Sequence, residues 1–490
     1  MYPLILSFNP PQVTARGSTH PTEPITRYIA CVRELLRRNR RFFTVALIAG
    51  AALRLLFIFR FPGVTTDSFI YGDIAKNWLQ HGIYGITESA GVVLPTFIRL
   101  PGYPAFLAAS FTVFGMEHYR AVLIVQMLVD LTTCLIIADI ALRLAGNRVA
   151  KSAFVLAALC PFLAMYSAAA LTETLEVFFT ALTLDCVLAA LATRRTHLWL
   201  FAGMATAAAI LLRPDGGLLL CAVGFYLLCL TLRAWLKHRP QDALQLLRPA
   251  LLYGLISLTP LVPWTLRNLH TMHQFQPLAP RYANEQNEFV PAGFNHWVKT
   301  WIADYVSVEE IYWPVPGETV DVAKLPDRAF DSPEQRRETE QLLAEYNDQL
   351  HISPELDGRF AELGGQRIRS RPLRYYLFLP ALRIADMWLR PRTETLPSDS
   401  RWWEFNDDPK WSTLAVGMGV VGLFYVLSAL YGLPRALLAG NMWLFLGFVL
   451  LRSAFLGTLE NPEPRYTLEC YPIVIVLAAI GLSSLCSRAR

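Results

Sequence analysis

The sequence predicts an all-α polytopic membrane protein with about ten transmembrane helices. Of its 490 residues, 54% are hydrophobic and only 17% are charged, whereas about a quarter of the residues of a soluble protein are charged. The apolar residues are concentrated in runs of about 18 to 22 residues, the length of helix that spans the hydrocarbon core of a bilayer. This composition excludes a disordered chain, a fibrous repeat and an ordinary soluble enzyme.

Ten apolar runs are predicted to cross the membrane. They cover approximately residues 42–61, 119–142, 152–171, 173–193, 197–212, 216–233, 249–266, 412–430, 436–456 and 468–486. Arginine and lysine residues are concentrated in alternate short connections, for example at Arg194, Arg195, Arg233 and Arg435. Because such a bias marks the cytoplasmic side, we expect a multi-pass protein of the inner (plasma) membrane with both termini in the cytoplasm. The net charge of +5 fits this topology signal, and we expect membrane lipids but no nucleic acid as partners.

The predicted topology divides the chain into four parts. These are a cytoplasmic N-terminal segment (1–41), a transmembrane core (42–266) that includes the first outer loop (62–118), a large extracytoplasmic loop (267–410) and the C-terminal transmembrane helices (411–490).

The first outer loop is predicted to contain two helices. An amphipathic helix covers Ser68–Gln80, where Ile70, Ile74 and Trp78 recur every four residues, a pattern typical of a helix that lies on the membrane surface. A second helix, about Tyr103–Phe114, is too short to cross a bilayer.

The large loop contains two helix starts. Ser332-Pro333-Glu334-Gln335 has serine as the cap, proline at the first helical position and glutamine completing a capping box. Ser353-Pro354-Glu355 is a second start, and an interfacial helix is expected to return to the membrane near Arg374-Tyr375-Tyr376.

Charged residues at the membrane boundaries cluster on the predicted outer side. They come from at least five connections and are Asp67, Asp73, Glu88, Arg99, Glu173, Glu176, Arg213, Asp215, Arg267, Glu460, Glu463 and Arg465. Since ionisable groups near hydrocarbon are costly, their convergence predicts an outward-facing polar cavity. The alternative is that these connections are simply polar loops.

Individual residues of this cluster have two interpretations each. Asp67 and Glu173 are either helix caps or catalytic carboxylates, and Tyr71 lies one turn after Asp67 on the same helix face. Arg213 either pairs locally with Asp215 in a turn or belongs to the cavity. Arg267 either reaches lipid phosphate or clamps a substrate phosphate.

Six short motifs occur in register with the predicted topology: Asp67–Ala75, Arg99–Pro104, Thr172–Thr174, Leu212–Pro214, Pro263–Asn268 and Arg465–Tyr466. In this order they resemble the bacterial branch of the protein-mannosyltransferase-like family within the GT-C glycosyltransferases. The resemblance extends from about residue 42 to the C-terminus.

The resemblance implies a sugar donor carried on a polyprenyl phosphate and transfer on the extracytoplasmic side. By this similarity, Asp67 falls on the catalytic acidic position of the first loop, and Glu173 falls on the second acidic position. The substrate-binding residues that it implies are Tyr71, Asp73, Arg99, Tyr103, Arg213, Arg267, Asn268, Arg465 and Tyr466. No metal ligand is assigned: many relatives have paired acidic residues in the first loop, whereas Ser68 follows Asp67 here. A divalent cation therefore stays open as a cofactor, but this departure argues against it.

The chemistry that the motifs favour is an inverting displacement. A lipid phosphate is a good leaving group, so the reaction needs a base, for which we favour Asp67, and cations for the departing phosphate. Glu173 would position the acceptor, and Arg213, Arg267 and Arg465 would hold the phosphate. A retaining mechanism with two carboxylates about 5 Å apart stays open, as does the choice among a lipid, glycan or protein acceptor.

The competing hypothesis is a transporter or flippase of a lipid-linked sugar. Transporters place polar groups near the bilayer midplane, on broken helices in paired repeats. The sequence has few mid-span charges, namely Arg54, Asp130, Asp139 and Asp185, and no internal repeat. The transferase is therefore the favoured interpretation.

Overall fold

A computed structural model describes residues 34–89, 91–405, 408–437 and 441–488. The chain divides between Arg40 and Arg41, and the site lies in the unit Arg41–Arg490. Most of the predicted cytoplasmic segment 1–41 lies outside the described residues. The helices of the described residues are α1 (Arg40–Arg60), α2 (Thr66–His81), α3 (Gly102–Phe114), α4 (Tyr119–Ala145), α5 (Asn147–Ala158), α6 (Pro161–Ser167), α7 (Glu173–Thr193), α8 (Thr196–Leu212), α9 (Gly217–Leu236), α10 (Pro240–Leu258), α11 (Leu261–Met272), α12 (Ala292–Val298), α13 (Tyr305–Ser307), α14 (Pro333–Gln349), α15 (Pro354–Ser370), α16 (Leu379–Leu389), α17 (Pro409–Ala436), α18 (Met442–Gly457) and α19 (Tyr471–Arg488).

The structure confirms an all-α polytopic membrane fold and supports the count of ten spans only roughly. Seven helical segments of the described residues are long and apolar enough to cross a membrane: Arg40–Arg60, Tyr119–Ala145, Glu173–Thr193, Pro214–Leu236, Pro240–Met272, Pro409–Ala436 and Pro464–Leu485. The pair α5 and α6 is bent by 50° and adds an eighth span if it crosses as one. The remaining two predicted spans correspond to α8 and α18, which have 17 and 16 residues, fewer than the about 20 that a perpendicular crossing needs.

The bend between α5 and α6 has a local cause. α5 ends at Ala158, and Pro161 is the first residue of α6. Proline has no backbone N–H and its ring clashes with the preceding turn, so it cannot continue a helix. The predicted span 152–171 is for this reason two helices followed by a break before α7.

A buried ion pair and a partly buried ion-pair cluster join the membrane helices. The Arg54 guanidinium of α1 donates to Asp130 of α4 at 2.5 Å and to the Ala158 carbonyl of α5 at 2.6 Å. On α4, Arg143 pairs with Asp139 and donates to Asp185 of α7 at 2.7 Å. The charges noted at mid-span in the sequence are thus contacts between helices.

The two helices predicted in the first loop are present as α2 and α3. Thr65 is the N-cap of α2, and its backbone N–H donates to the Ser68 hydroxyl at 3.0 Å. Between the two helices, strands β1 (Gly85–Thr87) and β2 (Val93–Pro95) form an antiparallel hairpin with Ile86 opposite Leu94.

The connection between α11 and α17, residues 273–408, is called the large loop below. Its helices α12, α14 and α15 enclose an apolar core around the fully buried side chains of Trp297 and Trp301. Ser332 and Ser353 cap α14 and α15 as predicted, each accepting a 3.2 Å hydrogen bond from the third residue of the helix. The capping box predicted at Ser332 differs in one bond: the Gln335 side chain accepts from the N–H of Asp331 and not from the N–H of Ser332.

Towards the end of the large loop, the segment Arg374–Phe378 is π-helical and continues into α16. This is where the sequence predicts a helix that returns to the membrane. The side chains of Leu377 and Phe378 are exposed.

A backbone bridge links the start of the first loop to the break before α7. The Gly63 N–H donates to the Ala168 carbonyl, and the Ala170 N–H donates to the Gly63 carbonyl, both at 2.8 Å. A Cβ at Gly63 would lie 2.9 Å from the Ala169 Cβ, so this close approach requires glycine. Asp67 and Glu173 follow the bridge within about one helical turn on each side.

Candidate active site

A cavity of about 830 Å³ lies where the first loop, the starts of α7 and α9, the large loop and the α18–α19 connection meet. The structure brings seven of the eleven predicted site residues into its lining: Asp67, Tyr71, Arg99, Glu173, Arg213, Arg465 and Tyr466. The convergence of charges that the sequence predicts at one end of the helices therefore corresponds to a real cavity.

Asp67 occupies the first turn of α2 without capping it, since Thr65 is the cap. Its Oδ1 accepts a 2.9 Å hydrogen bond from Arg99 Nη2. Its Oδ2 lies 3.9 Å from Arg465 Nη2, which is longer than a hydrogen bond. With 36% of the side chain exposed, Asp67 presents one carboxylate oxygen to the cavity.

Arg213 and Arg465 are held loosely by the carboxylates of the cavity. The two Nη1 atoms lie 3.8 and 3.6 Å from Glu173 Oε1. Each arginine has a shorter contact through its Nε atom. Arg465 Nε lies 2.6 Å from Glu463 Oε2, and Arg213 Nε lies 3.3 Å from Asp215 Oδ1. The outer N–H groups of both guanidinium groups are therefore placed to bind an anion in the cavity.

Glu173 is the first residue of α7, and only 2% of its side chain is exposed. Its Oε2 is buried and has no hydrogen-bond partner among the described residues. A buried carboxylate oxygen without a partner is costly, and an acceptor hydroxyl in the cavity would satisfy it.

Tyr71 and Tyr466 supply aromatic surfaces to the site. Arg99 stacks over the Tyr71 ring at 5.5 Å, and Arg213 stacks over the Tyr466 ring at 4.6 Å. Burial raises the pKa of the Tyr71 phenol to about 12, against the opposing effect of Arg99. Tyr71 is therefore neutral at physiological pH. The Tyr466 hydroxyl donates to Glu463 at 2.5 Å.

A network of ion pairs around Arg452, not predicted from the sequence, contacts the cavity residues Asp215 and Tyr466. Arg452 of α18 contacts Glu469 at 2.8 Å and Asp215 at 3.0 Å, and it donates to the Tyr466 carbonyl at 2.9 Å. The signal was present, because Arg452 and Glu469 are charged residues inside apolar spans, and such residues face other groups of the protein rather than lipid.

Four predicted site residues do not line the cavity. Arg267 donates to the backbone carbonyls of Thr96 and Tyr84 at 2.7 and 2.6 Å. Its neighbour Asn268 donates to the Gln276 carbonyl at 2.7 Å. These contacts fasten α11 to the first loop, and a role of either residue in substrate binding stays a prediction.

The other two are Asp73 and Tyr103. Asp73 accepts from the N–H and the hydroxyl of Thr87 at 2.6 and 3.0 Å, and so fixes β1 on α2. The Tyr103 hydroxyl donates to Gln126 at 2.7 Å in a fully buried position. Both contacts are structural, and substrate binding by these residues also stays a prediction.

The large loop contributes a second wall of the cavity. Arg281 lies 2.6 Å from Glu460, which is buried in the α18–α19 connection. Tyr282, Tyr312 and Trp313 line the same wall. The large-loop residues of this wall were not predicted from the sequence.

The residues of the site do not suit a divalent cation. Among the described residues, no group of three or more His, Cys, Asp or Glu side chains could hold a metal ion. The carboxylates of Asp67 and Glu173 face guanidinium groups instead, which occupy the positions that a cation would take.

Residues 99–264 match the family model described as dolichyl-phosphate-mannose-protein mannosyltransferase. No curated protein matches the sequence. The archaeal oligosaccharyltransferase AglB from Archaeoglobus fulgidus, solved with an inhibitory peptide and a dolichol-phosphate, is similar over 92% of this chain with a TM-score of 0.50 and 12% identity. This chain spans about half, 51%, of that protein.

A second solved structure, ArnT from Cupriavidus metallidurans bound to undecaprenyl phosphate, is similar over 93% of this chain and 79% of its own, with 16% identity and a TM-score of 0.39. The family match lies in the segment that carries Arg99, Glu173 and Arg213, and the fold is that of the oligosaccharyltransferase. The chain therefore matches the mannosyltransferase family model over residues 99–264 and shares the fold of the oligosaccharyltransferase.

Proposed function

We propose that the protein transfers a sugar from a polyprenyl-phosphate donor to an acceptor hydroxyl in the cavity, with inversion and with Asp67 as the base. The observation that carries this proposal is the pairing of an open carboxylate oxygen, Asp67 Oδ2, with the loosely held guanidinium groups of Arg213 and Arg465. One cavity thus contains a proton acceptor and donors for a phosphate.

In the proposed reaction, the acceptor oxygen attacks the anomeric carbon of the donor sugar. Its proton passes to Asp67 Oδ2 as the new glycosidic bond forms. The bond between the anomeric carbon and the phosphate oxygen breaks, and polyprenyl phosphate leaves with the electron pair. Arg213 and Arg465 stabilise the charge that develops on the phosphate, an electrostatic effect that grows in a site sheltered from water.

The supporting groups have separate roles in this scheme. Arg99 binds Oδ1 of Asp67 and leaves Oδ2 directed to the acceptor. The unpartnered Oε2 of Glu173 accepts a hydrogen bond from the acceptor or the sugar. Arg452 positions Asp215 and the Tyr466 backbone, and it does not touch substrate.

We also propose that the cavity opens on the extracytoplasmic side of the inner membrane and that both termini are cytoplasmic. The support is the concentration of arginine and lysine in the opposite set of short connections. A single cysteine introduced at the exposed Gln349 of the large loop should react with a membrane-impermeant maleimide in intact cells. Reaction only after lysis would reverse the orientation.

The function is tested by reconstituting the protein in proteoliposomes with a panel of labelled polyprenyl-phosphate sugars. Wild type should consume one donor, by transfer or by slow hydrolysis. Asp67→Asn should reduce this turnover about 10²–10⁴-fold, the usual contribution of a general base, while the protein stays folded.

Asp73→Asn is the matched comparison, since it removes the other carboxylate of α2. Because Asp73 binds Thr87 rather than the cavity, this variant should lose thermal stability and retain turnover per folded molecule. Full turnover in Asp67→Asn would eliminate Asp67 as the base. Labelled lipid that crosses the bilayer unchanged, equally in wild type and Asp67→Asn, would favour the flippase.

A further inference from the structure

The large-loop wall of the cavity differs in chemistry from the Asp67 wall. It is rich in aromatic rings, and two of them are open to the cavity: Phe289 and Trp313 are 49% and 47% exposed although both belong to the lining. The Trp313 ring is held by Tyr305 in a T-shaped contact, with 5.5 Å between the ring centroids. Trp313 therefore offers exposed aromatic surface in a fixed position at the cavity.

The cation of this wall is already paired. Arg281 lies 2.6 Å from the buried Glu460 and stacks on Tyr282 at 5.2 Å. Burial raises the pKa of the Tyr282 phenol to about 12, and the Glu288 carboxylate, which also lines the cavity, accepts a 2.7 Å hydrogen bond from the Glu285 N–H. The wall thus presents hydrogen-bonding groups without an unpaired cation, in contrast to the loosely paired Arg213 and Arg465.

This combination suits one chemical class of ligand. A pyranose ring has an apolar face of C–H groups and a rim of hydroxyl groups, so it stacks on an aromatic ring while its hydroxyls bond to amide, phenol and guanidinium groups around that ring. A prenyl chain would leave these polar groups unsatisfied. An anionic acceptor would require an unpaired cation, whereas Arg281 is paired with Glu460.

We infer that the large-loop wall is a saccharide subsite, with Trp313 as its stacking platform, and that the acceptor is a hydroxyl of a neutral sugar. This inference rests on the proposed function and specifies its acceptor. The transfer then joins two sugars: the acceptor hydroxyl gives its proton to Asp67, its oxygen bonds to the anomeric carbon of the donor sugar, and polyprenyl phosphate departs.

The first experiment measures binding and needs no turnover. The full chain in nanodiscs is titrated with short neutral oligosaccharides (mannobiose, cellobiose, maltose and chitobiose), with a serine- and threonine-containing peptide and with a long-chain alcohol, by saturation-transfer NMR. Wild type should bind at least one oligosaccharide. Trp313→Ala should weaken this binding at least about 10-fold, the loss that about 1.4 kcal/mol of stacking would produce.

Two further variants separate stacking from folding. Trp313→Phe retains an aromatic face and should bind within about 3-fold of wild type. Trp403→Ala removes another exposed tryptophan of the large loop that lies outside the cavity lining, and it should bind like wild type. Equal binding by wild type and Trp313→Ala, or binding of the peptide or the alcohol alone, would overturn the inference.

The second experiment uses the labelled donor. Trp313→Ala should raise the KM for the oligosaccharide acceptor, whereas Trp403→Ala, outside the cavity lining, should leave both this KM and the rate of donor hydrolysis unchanged. Transfer to the peptide with no transfer to sugars would overturn the saccharide subsite while leaving the proposed function intact. Conversely, saccharide binding that depends on Trp313, without turnover of any donor, would support the subsite and contradict the proposed function.

Discussion

The Arg99 guanidinium donates a 2.9 Å hydrogen bond to the Asp67 carboxylate, although the two residues lie 32 positions apart in the chain. Arg99 precedes α3, and Asp67 is in the first turn of α2. The contact fixes one oxygen of the carboxylate. It also directs the second oxygen into the cavity.

Arg99→Gln should therefore lower donor turnover by about 10–100-fold, because Asp67 loses both its charge partner and its orientation. Arg99→Lys keeps the charge but not the planar stacking over Tyr71, so it should recover only part of the activity. The measurement is the initial rate of donor consumption in proteoliposomes. Wild-type rates in Arg99→Gln would exclude this positioning role.

Arg452 should matter for stability rather than for donor binding. Arg452→Met leaves Glu469 as a buried carboxylate without its cation and leaves Asp215 with Arg213 alone, and breaking a buried pair in this way costs about 3–5 kcal/mol. A large fall in the thermal midpoint of the protein in nanodiscs is expected.

Arg213→Met should affect donor binding more than stability. Because Arg213 is more loosely paired, we expect a smaller loss of stability than in Arg452→Met and a donor KM raised about 10-fold or more.

The buried pair of Arg54 and Asp130 allows a test of the flippase alternative. Arg54→Met and Asp130→Leu should each destabilise the protein by about 3–5 kcal/mol, and the double variant should recover much of that loss because no charge is left buried alone. If the pair only joins helices, the double variant keeps donor turnover. Loss of function in a double variant that unfolds like wild type would instead indicate a role of these charges in transport.

Asp386 on α16 predicts a pH dependence of stability. Burial, together with the nearby Asp304 carboxylate, raises the pKa of Asp386 to about 6, whereas its ordinary value is 3.8. The folded state thus binds this proton more tightly than the unfolded state does. The resulting contribution to the free energy of unfolding is complete below about pH 3.8 and is lost as the pH rises through about 6.

Asp386→Asn, which can still accept the 3.0 Å hydrogen bond from the Tyr305 N–H, removes that titration. The thermal midpoint of the variant should exceed that of wild type by more at pH 7 than at pH 4.5. A difference between variant and wild type that does not change with pH would show that Asp386 does not titrate in this range.

Local patterns in the sequence predict the helices and part of the site. Apolar runs indicate the membrane helices, the recurrence of apolar residues every four positions within Ser68–Gln80 indicates α2, and serine followed by proline marks the starts of α14 and α15. Eight of the twelve charged residues predicted to cluster at the membrane boundaries line the cavity. These signals are local because hydrophobic periodicity and capping act over one or two helical turns.

Other parts of the site depend on contacts between distant segments. Arg452 meets Asp215, which lies 237 positions away, and no pattern in either segment indicates the other. Arg267 occupies a motif position that suggests a phosphate ligand, yet its guanidinium donates hydrogen bonds to the carbonyls of Thr96 and Tyr84. Only the tertiary structure shows which arginine N–H groups are already bonded.

The backbone bridge at Gly63 determines which parts of the site can change during evolution. Main-chain hydrogen bonds at Gly63, where a Cβ would clash with Ala169, hold the segment before Asp67 against the segment before Glu173. As long as position 63 stays glycine, the spacing of the two carboxylates is set by the backbone and is insensitive to exchanges among the surrounding side chains. Mutations in the large loop can then change which molecule is accepted without moving the reacting groups, so one inherited frame can acquire new substrates in small steps.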